Sequence, residues 1–222
     1  MIQDYNINHL LDDAMSSTLK GMMICLPATI VSIPNNLDDM AVDVVPCVNE
    51  LKPDGSSEEI DTIYRVPVQM PGSSTSLVNI PLNVGDNVIL VFSQRSLDSW
   101  KTSNGYPTTP PTVRRWDTSD AIAIPCIFPF PRSVNNPRVR KWKHNTRDLC
   151  VAHNIGSATE AEVRITQSGN ILFNTDGDVK WKVGGKMTIE GDVEHTGDFK
   201  SNNVTISEHK HSAGGNPPMA GT

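Results

Sequence analysis

His209 and His211 stand two residues apart near the end of the sequence, in the run Ser207-Glu208-His209-Lys210-His211. At strand spacing both imidazoles point to one side. Two ring nitrogens on one chain make a poor metal site. Three chains meeting on an axis bring six together, and six nitrogen donors form an octahedron, which suits Fe²⁺, Co²⁺ or Ni²⁺ rather than tetrahedral Zn²⁺. With every position filled, such an ion has no open coordination for a substrate and acts as a clamp on chain ends. On its own a His-x-His is also ordinary surface sequence, since the chain holds six histidines. Its weight comes from what precedes it.

Upstream, from Ala161 to His211, glycines fall at Gly169, Gly177 and Gly185, then at Gly191 and Gly197. Between them lie apolar residues two apart: Val163/Ile165, Ile171/Phe173, Val179/Trp181 and Met187/Ile189, continued with drift by Val193, Phe199 and Val204/Ile206. A period of two marks strands with one buried face, and each glycine interrupts it where a turn is needed. The Gly-Asp-apolar triplets at Gly177, Gly191 and Gly197 read as corners. A lone row of about seven such strands would leave its edges open and half its apolar residues wet, so the repeat needs neighbours to share a core. Strands every six to eight residues suit three chains wound about one axis, a homotrimer, better than a single-chain helix with longer turns. At roughly 4.8 Å per strand the column is on the order of 30 Å tall. His195, two residues after Val193, would place a second histidine cluster on the same axis.

The whole-chain numbers agree with thin, shared cores. The 222 residues are 37% hydrophobic and only 5% aromatic, with a net charge of −6. An acidic balance argues against a general nucleic-acid binder. No apolar run is long enough for a membrane-spanning helix, and the start, MIQDYNINHL, lacks the basic and apolar regions of a signal peptide, so synthesis in the cytoplasm is expected. The four cysteines have no metal-type spacing, and Cys25, Cys47 and Cys126 lie in apolar runs, which predicts buried small hydrophobes.

Before the repeat, Ile7–Met23 has a helical pattern that Gly21 closes, with Asn8 as a cap and Leu10, Leu11, Ala14, Met15 and Leu19 on one face. From Met22 the period becomes two. Runs beginning at Met22, Met40, Ile60, Ser76 and Asp120 read as strands, separated by turn-rich clusters, with a turn at Gly85-Asp86 leading into Val88, Leu90 and Phe92. Five or six strands in about 110 residues suit a small closed barrel of the OB type. The expected organisation is an all-β chain: an N-terminal helix over 1–21, an OB-like barrel over 22–130, a linker over 131–160, a trimeric triangular β-helix over 161–208 and a metal-binding tip over 209–222.

The linker holds the one concentrated basic run, Arg138 to Arg147. Arg138, Arg140, Lys141 and Lys143 around Trp142 could hold single-stranded nucleic acid by phosphate contacts and stacking, which makes an OB-fold nucleic-acid-binding protein the alternative reading. The plainer reading is a solvated linker, or a surface facing acidic partners. Cys150 and His153 form a weak nucleophile–base pattern. The acidic residues of the repeat sit mostly at corners, where they serve turns rather than glycoside hydrolysis. No enzymatic activity is expected.

A small barrel, a glycine-punctuated β-helix and a His-x-His followed by Gly214-Gly215-Asn216-Pro217-Pro218 together resemble the central baseplate spike of contractile-tailed bacteriophages, in its short membrane-piercing form. The resemblance covers the order of the whole chain, and its specific part is 161–222. It implies one iron ion per trimer, shared by His209 and His211 of three chains. It also implies a barrel attached to tail hub and tail tube proteins, and a virion location at the baseplate tip. The implied task is mechanical puncture of the host outer membrane, with no nucleic-acid partner. Longer relatives insert a lysozyme domain, for which this chain has no segment.

Overall fold

The computed structural model describes residues 7–20, 22–201 and 204–205, and it divides into two compact units, 1–174 and 175–222. The first begins with helix α1, Ile7–Lys20, whose side chains are exposed wherever they are described.

Alternation then builds the barrel. The strands are β1 (Cys25–Ser32), β2 (Ala41–Pro46), β3 (Ile63–Pro67), β4 (Asn87–Phe92) and β5 (Ala121–Pro125). They are hydrogen-bonded in the order β3-β2-β1-β4-β5, all neighbours antiparallel. The first four form a Greek key, with the fourth strand lying beside the first. Just past β3, Val68 bridges Ala123 of β5 in parallel, and the Gln69 amide donates to the Ala123 carbonyl at 2.8 Å. That contact brings the two edges together, so the sheet closes on itself in the strand order of an OB-type barrel. One side of each strand fills the interior: Ala28 and Ile30, Val42 and Val44, Ile63 and Val66, Val88 with Leu90 and Phe92, Ala121 and Ala123.

Two irregularities let so short a sheet curl. Arg65 takes a positive φ of 52° where the β2–β3 register shifts, and its amide is held at 2.8 Å by the Asp43 carboxylate. Such a bulge increases local twist. Before β4, Gly85 adopts φ 95° and donates to the Ile30 carbonyl, while Asp86 accepts from the Asn83 amide at 2.7 Å. The expected turn is therefore the element that docks the long loop onto β1.

A fully buried carboxylate, Asp120, ties the loop before β5 to the barrel. It accepts from the Leu97 amide at 2.8 Å and from Arg114 Nε at 2.7 Å. Burial alone would raise its pKa, but the hydrogen bonds from Arg114 and Leu97 outweigh that and hold it below the usual carboxylate value. Asp120→Ala is expected to cost about 2–3 kcal/mol in urea unfolding, because Arg114 is partly exposed and can rehydrate.

Two expectations are corrected. Cys25, Cys47 and Cys126 are exposed rather than buried. Cys25 has the outward parity of β1, opposite to Ala28, while Cys47 and Cys126 lie just past the ends of β2 and β5, so apolar neighbours in sequence did not make an apolar environment. Nor is 131–160 a linker throughout. Its last part forms β6 (Leu149–His153), which pairs antiparallel with β7 (Ala161–Ile165), followed by β8 (Ile171–Asn174). The first two expected rungs of the shaft are therefore strands of a three-stranded antiparallel sheet made by one chain.

In the second unit, 175–199 contains no strand, every residue from Asp176 to Lys200 is exposed, and Lys200–Ser201 pairs with Val204–Thr205. Gly191 and Gly197 take φ of 119° and 109°, the left-handed region that a corner needs and that glycine alone adopts at little cost. A triangular β-helix would pair these strands between chains.

Candidate assembly interface

The sheet β6–β8 has two unlike faces. On one, cross-strand partners form two rows, Leu149–Ile165–Ile171 and Val151–Val163–Phe173. All six are exposed, Val151 at 72%. The other face carries Cys150, Glu162 and Arg164, and it is the one the chain covers itself. Val163 and Ile165, expected to face a core shared between chains, are uncovered in the single chain, and Glu162 and Arg164 face its interior.

What covers the charged face is the basic run. Arg140, with its side chain 3% exposed, donates from Nε to Glu160 Oε1 at 2.8 Å and from Nη2 to Glu162 Oε2 at 2.7 Å. Glu160 also accepts from the Lys141 amide at 3.0 Å and the Gly156 amide at 2.6 Å. Burial opposes its charge, but these donors and Arg140 together lower its pKa to about 2. Gly156 is needed twice over: its φ is 78°, and a Cβ there would meet the Val139 carbonyl oxygen at 2.8 Å. Arg164 completes the network, with Nη2 3.3 Å from Glu162 Oε1 and Nη1 donating to the Lys143 carbonyl at 2.9 Å. Buried charges persist only when paired and hydrogen-bonded in this way.

This geometry changes how several sequence candidates read. Of the five residues proposed to hold nucleic acid, Arg140 is committed to the two carboxylates, and the Trp142 indole N–H donates to the Glu160 carbonyl at 3.0 Å. Lys141 Nζ donates to the Ala158 carbonyl and lies 5.2 Å from the Trp142 ring centre. Arg140 and Trp142 thus serve as an internal brace, while Arg138, Lys141 and Lys143 are exposed. Sequence reading missed Glu160 and Glu162, which stand at the start of β7 and belong to no motif. Cys150 and His153 have opposite parity on β6 and are not brought together. Cys150 instead donates to Glu162 Oε2 at 3.2 Å, and burial pushes its thiol pKa up, the wrong direction for a nucleophile. His195 makes an edge contact with Phe199, ring centres 5.8 Å apart.

The barrel is where a likeness to a known family lies. Residues 26–126, from within β1 to just past β5, match the family model of the phage protein Gp138 N-terminal domain. The barrel is similar to a phage-protein domain. The match ends where the barrel ends, and leaves the β6–β8 sheet and 175–222 to be read on their own chemistry. No curated protein matches the sequence.

From β6 onward the large exposed apolar residues among those described keep one parity but for Leu172: Leu149, Val151, Val163, Ile165, Ile171, Phe173, Val179, Trp181, Val183, Met187, Ile189, Val193 and Phe199 are odd-numbered and exposed. Single exposed apolar residues are ordinary on a protein surface, whereas a patch kept in phase marks an interface. His209 and His211 have that parity too, and they lie outside the described residues. Among the described residues no three His, Cys, Asp or Glu side chains gather as a metal site would require. No helix among them is long and apolar enough to cross a membrane.

Proposed function

We propose that the protein is the homotrimeric central spike of a contractile phage tail, the barrel attaching it to the hub and the segment after it forming a shaft that punctures the host outer membrane. The observation that carries this reading is the apolar run between Ile171 and Phe199, odd-numbered but for Leu172 and uncovered in a single chain, placed after a barrel similar to a phage-protein domain and before a His-x-His. Three copies of that run can share one dry core, which is how a thin rod offsets the entropy of ordering it. A rod so built carries axial load without hinges, and its function is mechanical.

The donor set at the tip suits a clamp. Imidazoles at 209 and 211 from three chains supply six nitrogens and no open position, and iron is the ion the spike reading assigns there. Purified protein is expected to show three times the chain mass in native mass spectrometry and one metal ion per trimer by elemental analysis. The double variant His209→Ala, His211→Ala should lose the metal while keeping the trimer, since the shaft core does not depend on the tip. Unchanged metal content in that variant would rule out the site, and a monomeric wild type would rule out the spike.

A further inference from the structure

We infer that the acid-free stretch 128–147, which joins the barrel to the β6–β8 sheet, is a docking surface for an anionic, phosphate-bearing lipid membrane. The proposal rests on the puncture reading only for the membrane it names, the outer one of the host, and it adds a place other than the shaft where the chain meets lipid.

Charge is the first support. From Ala121 to Arg147 the chain carries six Lys and Arg and no Asp or Glu, although its net charge is −6. The brace decides which of these cations reach solvent. Arg140 and His144 are buried and Trp142 is half-buried, while Lys141 and Lys143 between them are exposed. His144 is held at Asn135, with Nε2 and Oδ1 3.1 Å apart. Anchoring the alternate residues inward therefore turns both ammonium groups outward, to one side. Arg138 and Arg147 flank them and are exposed, and neither these two nor Lys143 has a side-chain acceptor among the described residues. Arg132 donates to neutral groups, the Asn87 Oδ1 and the Gly85 carbonyl, both at 3.3 Å, so its charge is also left for a partner outside the chain.

Apolar side chains stand in the same stretch. Phe130 is 98% exposed, and Phe128 and Val139 are exposed too. Pro129 and Pro131 flank Phe130, Pro129 with φ −59°, and Arg132 pins the turn to the barrel, so the ring is presented on a stiff support. A bare aromatic ring among uncompensated cations suits a lipid–water boundary, where the ring enters the headgroup layer and the cations meet phosphate. Single-stranded nucleic acid needs aromatic faces for its bases, and Trp142 is half-buried with its N–H committed to the Glu160 carbonyl. Protein interfaces are poor in lysine, which the outward side of this segment is not.

The test is co-sedimentation of the full chain with vesicles. Wild type should pellet with mixed phosphatidylcholine–phosphatidylglycerol vesicles at low salt, stay in the supernatant with pure phosphatidylcholine, and be released as salt rises. The triple variant Arg138→Gln, Lys143→Gln, Arg147→Gln should partition at least about thirtyfold more weakly, since each cation near such a surface is worth about fivefold. Phe130→Ser should weaken binding about tenfold or more. Lys180→Gln, Lys182→Gln, Lys186→Gln removes as many exposed cations from the second unit and should bind nearly as wild type does. Wild type that stays off the anionic vesicles, or a triple variant that binds them equally well, overturns the proposal. So does retention on polyglutamate or on a single-stranded oligonucleotide without binding to vesicles, which would give the same cations to an acidic protein or to nucleic acid. Should circular dichroism show the triple variant unfolded, its three single variants decide: weaker binding in each supports the surface, and none weaker refutes it. The spike reading fails separately. A trimer that ignores the vesicles removes this surface alone, whereas a monomer that binds them removes the spike and keeps the surface.

Discussion

Arg140→Ala should collapse the β6–β8 sheet while the barrel survives. Arg140 is the shared donor for two carboxylates that are themselves buried, Glu160 and Glu162, at 2.8 and 2.7 Å. Removing it leaves both charges without their main partner in a place water reaches poorly. Breaking a buried ion pair from one side costs about 3–5 kcal/mol. The three strands bury little apolar surface within the chain, since their apolar face is exposed, so they have little to offset that loss. Hydrogen exchange should show β6, β7 and β8 losing protection while β1, β2 and β4 keep theirs. Uniform loss across both sheets would mean that the two unfold as one unit. A variant as protected as wild type would show the cluster to be dispensable. Arg140→Lys should recover only part of the loss, because an ammonium cannot span two carboxylates as the guanidinium fork does.

Acid probes the same brace. The pKa of Glu160 is lowered to about 2, against an ordinary value of 4.5. A depressed carboxylate contributes stability that is fully present above its unfolded value and is lost as pH falls toward its folded one. The sheet should therefore weaken progressively between about pH 4.5 and 2, and Glu160→Gln should flatten that dependence at a cost in stability at neutral pH.

The barrel was legible because its alternating strands agree with one another. Ala28 and Ile30, Val42 and Val44, and Val88 and Leu90 each announce their side by a period of two, and short-range turns such as Gly85-Asp86 separate them. The brace was not legible. Arg140 and Glu162 are 22 residues apart, and nothing periodic links them. The alternation that revealed β7 did not reveal that Glu162 and Arg164, on its other face, hold the interior in a single chain. Periodicity locates two faces but does not say which one the chain can cover from within. The cysteines failed for a related reason: an apolar run at a strand end has an outward parity as well as an inward one. Arg65, with its positive φ and the bulge it makes, has no sequence signal that a glycine would have given.

The proposed shaft depends on the same distinction, and Val179→Asp tests it most severely. In a single chain Val179 is about half exposed, so a carboxylate there costs nothing until chains assemble. In a threefold column the odd positions face the axis, and the substitution forces three carboxylates into one desolvated layer. Each ion carries a penalty of several kcal/mol with no cation to pair with, and each repels the other two. Uptake of protons relieves the repulsion but still leaves three polar groups in a core built for valines. The variant should remain folded in its barrel and fail to trimerise, eluting at one chain mass at concentrations where wild type is entirely trimeric. Lys180→Asp sets the phase. It lies one residue on, at even parity, with its ammonium near Asp178 and its side chain 84% exposed, and it should trimerise normally. A soluble trimer of Val179→Asp alongside a disrupted Lys180→Asp would reverse the assignment of faces, and two normal trimers would place the shared core outside this run. Loss in the odd variant alone is the outcome a common axis requires, because only a face repeated three times around that axis turns one tolerated surface carboxylate into a forbidden cluster.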